Sequence, residues 1–230
     1  RRRTGITLLS LTVGVAGLVF LWAFIDGINA QMINNMTGYV TGDLKVHARG
    51  FHNEREMNIA LPEQWNLPPG VADTEGVAAA APRLTGHALV SLADKARAMQ
   101  ITGVDPAGEK TVTRLDHSLV AGRYLQTGNE ILLGAGAAGA LEAEVGDELA
   151  LVVQAADGSI GADRYTVIGL FETGVKRIDG QVAQIPLESA QELYALWGRV
   201  TEVAARVDDP DQLPLVIDRL QEQLQARQVE

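Results

Sequence analysis

The stretch Ile6–Ile25, ITLLSLTVGVAGLVFLWAFI, runs without a charged residue, behind Arg1, Arg2 and Arg3 and ahead of Asp26. A helix rises about 1.5 Å per residue, so about 20 apolar residues cross the roughly 30 Å of a bilayer's hydrocarbon core. That length predicts a transmembrane helix. Basic residues stay on the cytoplasmic side of a span, so the arginines remain inside and everything after Asp26 is delivered across the membrane. A cleaved export signal shares the basic start and the apolar core. Its cleavage triplet would be Ile28-Asn29-Ala30, which puts a branched residue where a small one is preferred, and Asp26 interrupts the approach. The paired arginines are not followed by the further residues of a twin-arginine signal. Ser10, Gly14 and Gly17 give the span a small-residue face against which a neighbouring helix can pack closely.

The helical period continues past the span. Ile25, Ile28, Met32 and Met36 recur at three- and four-residue spacing, while Asn29, Gln31, Asn34 and Asn35 fall on the other face. This predicts an amphipathic stalk over residues 26–42, ended by Gly38 and Gly42, with Ile28, Met32 and Met36 as its packing positions. The expected organisation is a cytoplasmic start and span over 1–25, the stalk, and an exported domain over 43–230.

The chain of 230 residues carries a net charge of −10, and without the three leading arginines the remainder stands at −13. Such a surface repels nucleic acid and anionic lipid, which argues against nucleic acid as a partner. There are no cysteines, so neither disulfides nor thiolate metal sites are available. Aromatic residues make up 5 %, against an abundance of small apolar residues, which suits a scaffold better than a base-stacking or sugar-binding surface.

The exported part reads as an α+β domain. Leu44, Val46 and Ala48 alternate with charged neighbours as a half-buried strand. Residues 53–70 read as a loop with short helical turns, with Trp65 as a lid on the core. VAAAAPRL, HALVSLA and RAMQITGVD read as strands of an antiparallel meander, divided at Gly86 and at Asp94-Lys95. Asp105 to Glu109 punctuates the chain, and Leu115 to Gly122 is a loop or short helix. Glu130 to Leu133 starts a strand and Ala135 to Leu141 forms a short helix. Glu148 to Gln154 and Arg164 to Phe171 form a hairpin about Asp157-Gly158. A helix from Pro186 through Trp197, a strand Thr201 to Val207, and a last helix with Pro214 in its first turn complete the pattern. Leu213, Val216, Ile217, Leu220 and Leu224 make that last helix's apolar stripe. The strand-rich part spans 106–171, flanked by mixed α/β parts at 43–105 and 172–230.

Gly134-Ala-Gly136-Ala-Ala-Gly139 is a GxGxxG directly after a strand and at the start of a helix, with Asp157 downstream. It invites a dinucleotide-binding reading, and with it a periplasmic oxidoreductase. The context is wrong: the helix is about two turns long, and the next strand enters a hairpin rather than a βαβ unit. Gly134, Gly136 and Gly139 are therefore expected to be structural, giving clearance between helix and strand, and no cofactor is expected. His47, His52, His87 and His117 form no metal-binding pair. No serine lies in a GxSxG setting, and there is no GxxxxGK[ST] loop. No catalytic constellation is legible.

The order of these features resembles the FtsX-like permease family of ABC transporters, with its lipoprotein-releasing and macrolide-exporter branches. The resemblance rests on RRRTGITLLSLTVGVAGLVFL, GDLKVHARGF, VAAAAPRL with MQITGVDPAGE, EILLGAGAAGALEAEVGDELALV, YTVIGLFETG with IDGQVAQIPLESAQEL, and VTEVAARVDD before a final helix. It implies a mixed α+β periplasmic domain, containing a strand-rich subdomain, after the first of four spans in the bacterial inner membrane. It further implies a separate cytoplasmic ABC ATPase, a second permease chain as homo- or heterodimer partner, lipid around the span, and a periplasmic carrier or adaptor. Glu230 falls where a second span is expected, so the chain reads as a permease fragment that exports or releases lipoproteins or other amphiphiles. The alternative is a membrane-tethered periplasmic binding or adaptor module that works without an ATPase.

Overall fold

A computed structural model of the protein describes residues 2–36, 38, 41–48, 60–61 and 70–225. Trp65 and most of the loop expected over 53–70 lie outside these residues. The chain forms two compact units, Arg1–Met36 and Thr37–Glu230.

The first unit is a single helix, α1, Arg2–Met36. Its stretch Leu9–Ile28 is long and apolar enough to cross a membrane. Side chains such as Phe20, Trp22 and Ile28 are exposed along it, as expected of a helix whose natural surroundings are lipid. Phe20 and Phe24, one turn apart, stack with ring centres 6.3 Å apart. The helix continues without a break as far as Met36, through the expected packing positions Ile28, Met32 and Met36. The side chains of Met32 and Met36 lie outside the described residues.

The second unit is built on one sheet. Its strands are β1 (Leu44–His47), β2 (Val77–Leu92), β3 (Lys95–Val104), β4 (Leu119–Gly122), β5 (Glu130–Gly134), β6 (Glu148–Gln154), β7 (Ile160–Phe171), β8 (Val182–Pro186) and β9 (Glu202–Val207). The helices are α2 (Pro106–Val112), α3 (Ala135–Leu141), α4 (Lys176–Gln181), α5 (Leu187–Leu193) and α6 (Leu213–Gln225). Hydrogen bonding runs in the order β1-β9-β2-β3-β8-β5-β7-β4, and β6 joins β7 back to β2. The pairing β2-β3-β8-β5-β7-β6-β2 is thereby a closed ring, which leaves none of those strands an unpaired edge. The 106–171 stretch contributes β4 to β7, which pair with β2 and β8 as well as with one another.

Among the described residues, two large apolar clusters follow from this arrangement. The ring strands direct Leu84, Val90, Met99, Ile101, Ile131, Leu133, Leu151 and Val167 into one apolar cluster, closed by Ala137 and Leu141 of α3 and Ala190 and Leu193 of α5. Outside the ring, one face of β1-β9-β2 packs Val46, Val203 and Ala205 against Val216 and Leu220 of α6. Thus Val216 and Leu220 are the buried part of the expected α6 stripe, whereas Ile217 is exposed; Leu224 lies outside the described side chains.

Four local expectations are corrected. Gly86 does not divide two strands: β2 runs through it, because a Cβ there would stand 2.6 Å from the Tyr194 ring, and only glycine lets the ring lie on the strand. The helix expected from Pro186 to Trp197 is confined to Leu187–Leu193, since Pro186 ends β8 and Ala195 takes a positive φ of 53°. Asp105 to Glu109 is the start of α2, with Asp105 accepting a hydrogen bond from the Gly108 amide at 2.8 Å and Pro106 in the first turn. Strand β8 was not expected: all five of its residues are buried, so the strand shows no polar–apolar alternation.

Candidate functional site

The chemistry of the domain is concentrated on the other face of β1-β9-β2. His47 of β1 stands opposite Glu202 of β9, and Glu202 stands opposite Arg83 of β2. Side chains alternate between faces along a strand, so residues directly opposite one another share a face. Helix α2 covers this face through Val112, which packs on Ala81 and Ala204. Its first turn brings Glu109 to Arg83.

Arg83 is 1 % exposed, Glu109 0 % and Glu202 3 %. The Arg83 guanidinium donates to both Glu109 carboxylate oxygens, from Nε at 2.9 Å and Nη2 at 2.6 Å. This two-pronged geometry matches the planar fork of a guanidinium to a carboxylate. Nη1 lies 3.7 Å from Glu202 and donates to the Thr41 carbonyl at 3.3 Å. Glu109 also accepts from the Thr113 hydroxyl at 2.7 Å. Glu202 accepts from Lys45 Nζ at 2.9 and 3.2 Å, and His47 Nε2 lies 3.8 Å away. Burial works against the charged form of Arg83, but Glu109 and Glu202 together with the Tyr124 phenol outweigh it and the guanidinium is held above its ordinary pKa. Burial likewise works to raise Glu202, but Lys45, Arg83 and His47 together outweigh it and the carboxyl stays below its ordinary value.

This cluster grips the segment by which the chain enters the domain. The Thr41 carbonyl is held by Arg83, and the Gly38 carbonyl accepts from the Arg114 amide at 2.8 Å, just beyond α2. The Asp43 amide donates to Ala205 at 2.9 Å while its carboxylate accepts from the Val207 amide at 3.0 Å. Gly42 has φ +73°, and a Cβ there would stand 3.0 Å from the Ala205 carbonyl oxygen, so the turn into β1 favours glycine.

The glycine motif lies elsewhere, at the β5–α3 junction. A Cβ on Gly134 would stand 2.3 Å from the Asp179 carbonyl oxygen, and one on Gly136 3.1 Å from it. The backbone of α4 thus fills the space beside these two glycines. Asp179 is itself fixed, its carboxylate accepting from the amide and hydroxyl of Thr173, both at 2.8 Å, and from the Gly174 amide at 3.1 Å. A Cβ on Gly139 meets nothing within 4 Å, so clearance gives no reason for glycine there. The expected stalk positions Ile28, Met32 and Met36 belong to α1, away in sequence from both sites.

Sequence reading missed Arg83, Glu109 and Glu202. The signal was present as charges inside largely apolar strands, Arg83 in VAAAAPRL and Glu202 in EVAARV, where Arg206 is the other charge. An ionised group in a buried strand needs a partner, but which partner is a matter of tertiary pairing.

The sequence matches the family described as MacB-like periplasmic core domain over residues 4–223. It is 26 % identical over 223 residues to the lipoprotein-releasing system transmembrane protein LolC of Neisseria meningitidis serogroup B, covering 92 % of this chain and 51 % of that protein. It is 28 % identical over 214 residues to LolC of Xylella fastidiosa, covering 89 % and 49 %. With LolE of Haemophilus influenzae it shares 22 % identity over 209 residues, covering 88 % and 49 %. The chain spans about half the length of these curated relatives. Among solved structures, the extracellular domain of the noncanonic ABC-type transporter YknZ from Gram-positive bacteria superposes with a TM-score of 0.57 at 12 % identity, over 81 % of this chain and 95 % of that one. The periplasmic region of MacB from Actinobacillus actinomycetemcomitans gives the same score and identity, over 81 % and 86 %. Those two share the fold: an α+β domain rich in strands. With the family matched along nearly its whole length, the chain belongs to the MacB-like periplasmic core domain family.

Proposed function

We propose that this chain is the first span and the periplasmic domain of an ABC-transporter permease in the bacterial inner membrane. In this reading a separate cytoplasmic ATPase hydrolyses ATP, and the chain itself is non-catalytic. Two permease chains pair, with Ile28, Met32 and Met36 packing the stalk against its partner. The stalk carries the ATPase's motion to the domain, which drives export or release of an amphiphile. Lipoproteins are the favoured cargo, since the LolC and LolE relatives are named for lipoprotein release; a periplasmic carrier or adaptor then receives it. The observation that carries the reading is the family match, which begins within α1 and runs into α6.

The test is purification of the tagged protein, with its complete reading frame, from membranes in detergent. Recovery of a P-loop ATPase supports the permease reading; a single-span protein without an ATPase overturns it in favour of a tethered binding or adaptor module. Within the complex, Met32→Glu is expected to weaken ATP-driven transport while the domain unfolds at its usual temperature. Unchanged transport in that variant counts against the stalk assignment.

A further inference from the structure

Three aspartates of the chain are followed directly by glycine: Asp26-Gly27, Asp157-Gly158 and Asp179-Gly180. In such a pair the glycine nitrogen can attack the aspartate side-chain carboxyl, because no Cβ obstructs the five-membered ring that forms. The sequence treats the three alike; the fold does not. Asp26-Gly27 lies inside α1. Ring closure there would take the aspartate ψ away from its helical value and remove an N–H from the helix ladder. Asp179-Gly180 lies inside α4, where Asp179 is buried. Its carboxylate is engaged by three hydrogen bonds from Thr173 and Gly174, earlier in the chain.

Asp157-Gly158 is the exposed turn of the β6–β7 hairpin. Here the carboxylate folds forward along the chain. One oxygen accepts from the Ser159 amide at 2.9 Å and from the Ser159 hydroxyl at 2.6 Å, so the carboxyl lies over the intervening Gly158. The same two donors face the oxygen that takes up negative charge as the ring closes, an arrangement that lowers the barrier to acyl transfer. The Gly158 amide donates to the Ala155 carbonyl at 3.0 Å, a single turn bond in place of a helix ladder.

We propose that Asp157-Gly158 is a self-modification site, which closes to a succinimide and reopens as isoaspartate. The Gly158 nitrogen gives its proton to water and bonds to Cγ of the protonated carboxyl; the Cγ–OH bond breaks and water leaves. Water then adds to either ring carbonyl. Opening at Cγ restores aspartate. Opening at the main-chain carbonyl leaves the nitrogen on Cγ, so the backbone runs through the side chain and the α-carboxylate is free. One water leaves and one returns, and nothing is oxidised or reduced. The product lengthens the turn by one methylene and moves its carboxylate off Ser159. The inference is independent of the permease reading.

The experiment incubates the full chain, folded in detergent, at mildly acidic pH. Aliquots are digested with a protease that cuts before aspartate and not before isoaspartate, and the products are assigned by electron-transfer fragmentation. Cleavage before Asp157 is expected to disappear at least about tenfold faster than cleavage before Asp26 or Asp179, whose ring closure requires local unfolding of a helix. In concentrated urea the three rates should converge, since the fold sets the difference. Ser159→Ala removes the hydroxyl donor and should slow the reaction of the folded chain about fivefold, the worth of one hydrogen bond, while leaving the rate in urea unchanged. Equal rates at the three sites in the folded chain overturn the proposal, as does a faster reaction at Asp26 or Asp179. So does a folded Ser159→Ala chain that reacts as fast as the unsubstituted one.

Discussion

Replacing Gly134 and Gly139 separately by alanine should change stability in opposite directions, although both belong to one GxGxxG motif. At Gly134 the new methyl would lie 2.3, 2.7 and 2.8 Å from O, C and Cα of Asp179. Ordinary contact begins at 3.4 Å, so the backbone of α4 has to retreat by about 1 Å. Overpacking of this kind costs about 1–3 kcal/mol. The displaced residue also accepts three hydrogen bonds from Thr173 and Gly174, each worth about 1 kcal/mol. A loss of about 3 kcal/mol is the central expectation, which for a domain of this size lowers the unfolding temperature by about 6–12 °C. At Gly139 nothing lies within 4 Å, and alanine in a helix interior is better than glycine by about 0.5–1 kcal/mol. That variant should unfold about 1–4 °C higher. Thermal unfolding of the unit Thr37–Glu230 followed by circular dichroism measures both. Equal destabilisation by the two alanines would refute the packing argument, because a loop conserving its shape for a ligand would treat both glycines alike.

Arg83→Met by itself leaves Glu109 buried without its cation and should cost about 3–5 kcal/mol, seen as a fall in the urea midpoint; adding Glu109→Leu should restore most of it. Glu202 has a folded-state pKa below the ordinary 4.5, so its ionisation stabilises the fold above that pH and the contribution is lost as the pH falls below about 4.5. Urea midpoints measured from pH 6 downward should drop through that window, and Glu202→Gln should flatten the drop; an unchanged slope would contradict the assigned network. Tyr124, Tyr165 and Tyr194 are pushed above the ordinary 10.0, first of all by burial. Their protonated forms are favoured by folding, so stability is retained below pH 10 and declines above it. Tyrosine ionisation followed by absorbance should therefore coincide with unfolding at alkaline pH, and smooth titration of a folded domain would refute it.

Local physics left several features legible. The length of Ile6–Ile25 was sufficient for a membrane-spanning helix because hydrocarbon thickness sets the requirement. The Asp157-Gly158 turn between two alternating runs was sufficient for the β6–β7 hairpin, since Gly158 takes the positive φ of 83° that the turn needs. Pro214 and the spacing of Val216 and Leu220 were sufficient for α6. Where elements were covered on both faces, the pattern vanished. Strand β8 and much of β9 are buried throughout, so they carry no period of two, and Gly86 looked like a break when it was room for Tyr194.

The sequence by itself determined which segments are apolar, where the chain turns and that a single helix precedes an acidic domain, because these depend on neighbours within a few residues. Only the tertiary structure decided that Arg83, Glu109 and Glu202 form one cluster, and that Gly134 and Gly136 face the backbone of α4. Those contacts join residues 26 to 119 positions apart for the charges and bring α4 against α3 from across the β6–β7 hairpin. A buried charge announces that it needs a partner, but sheet register and helix packing choose which one.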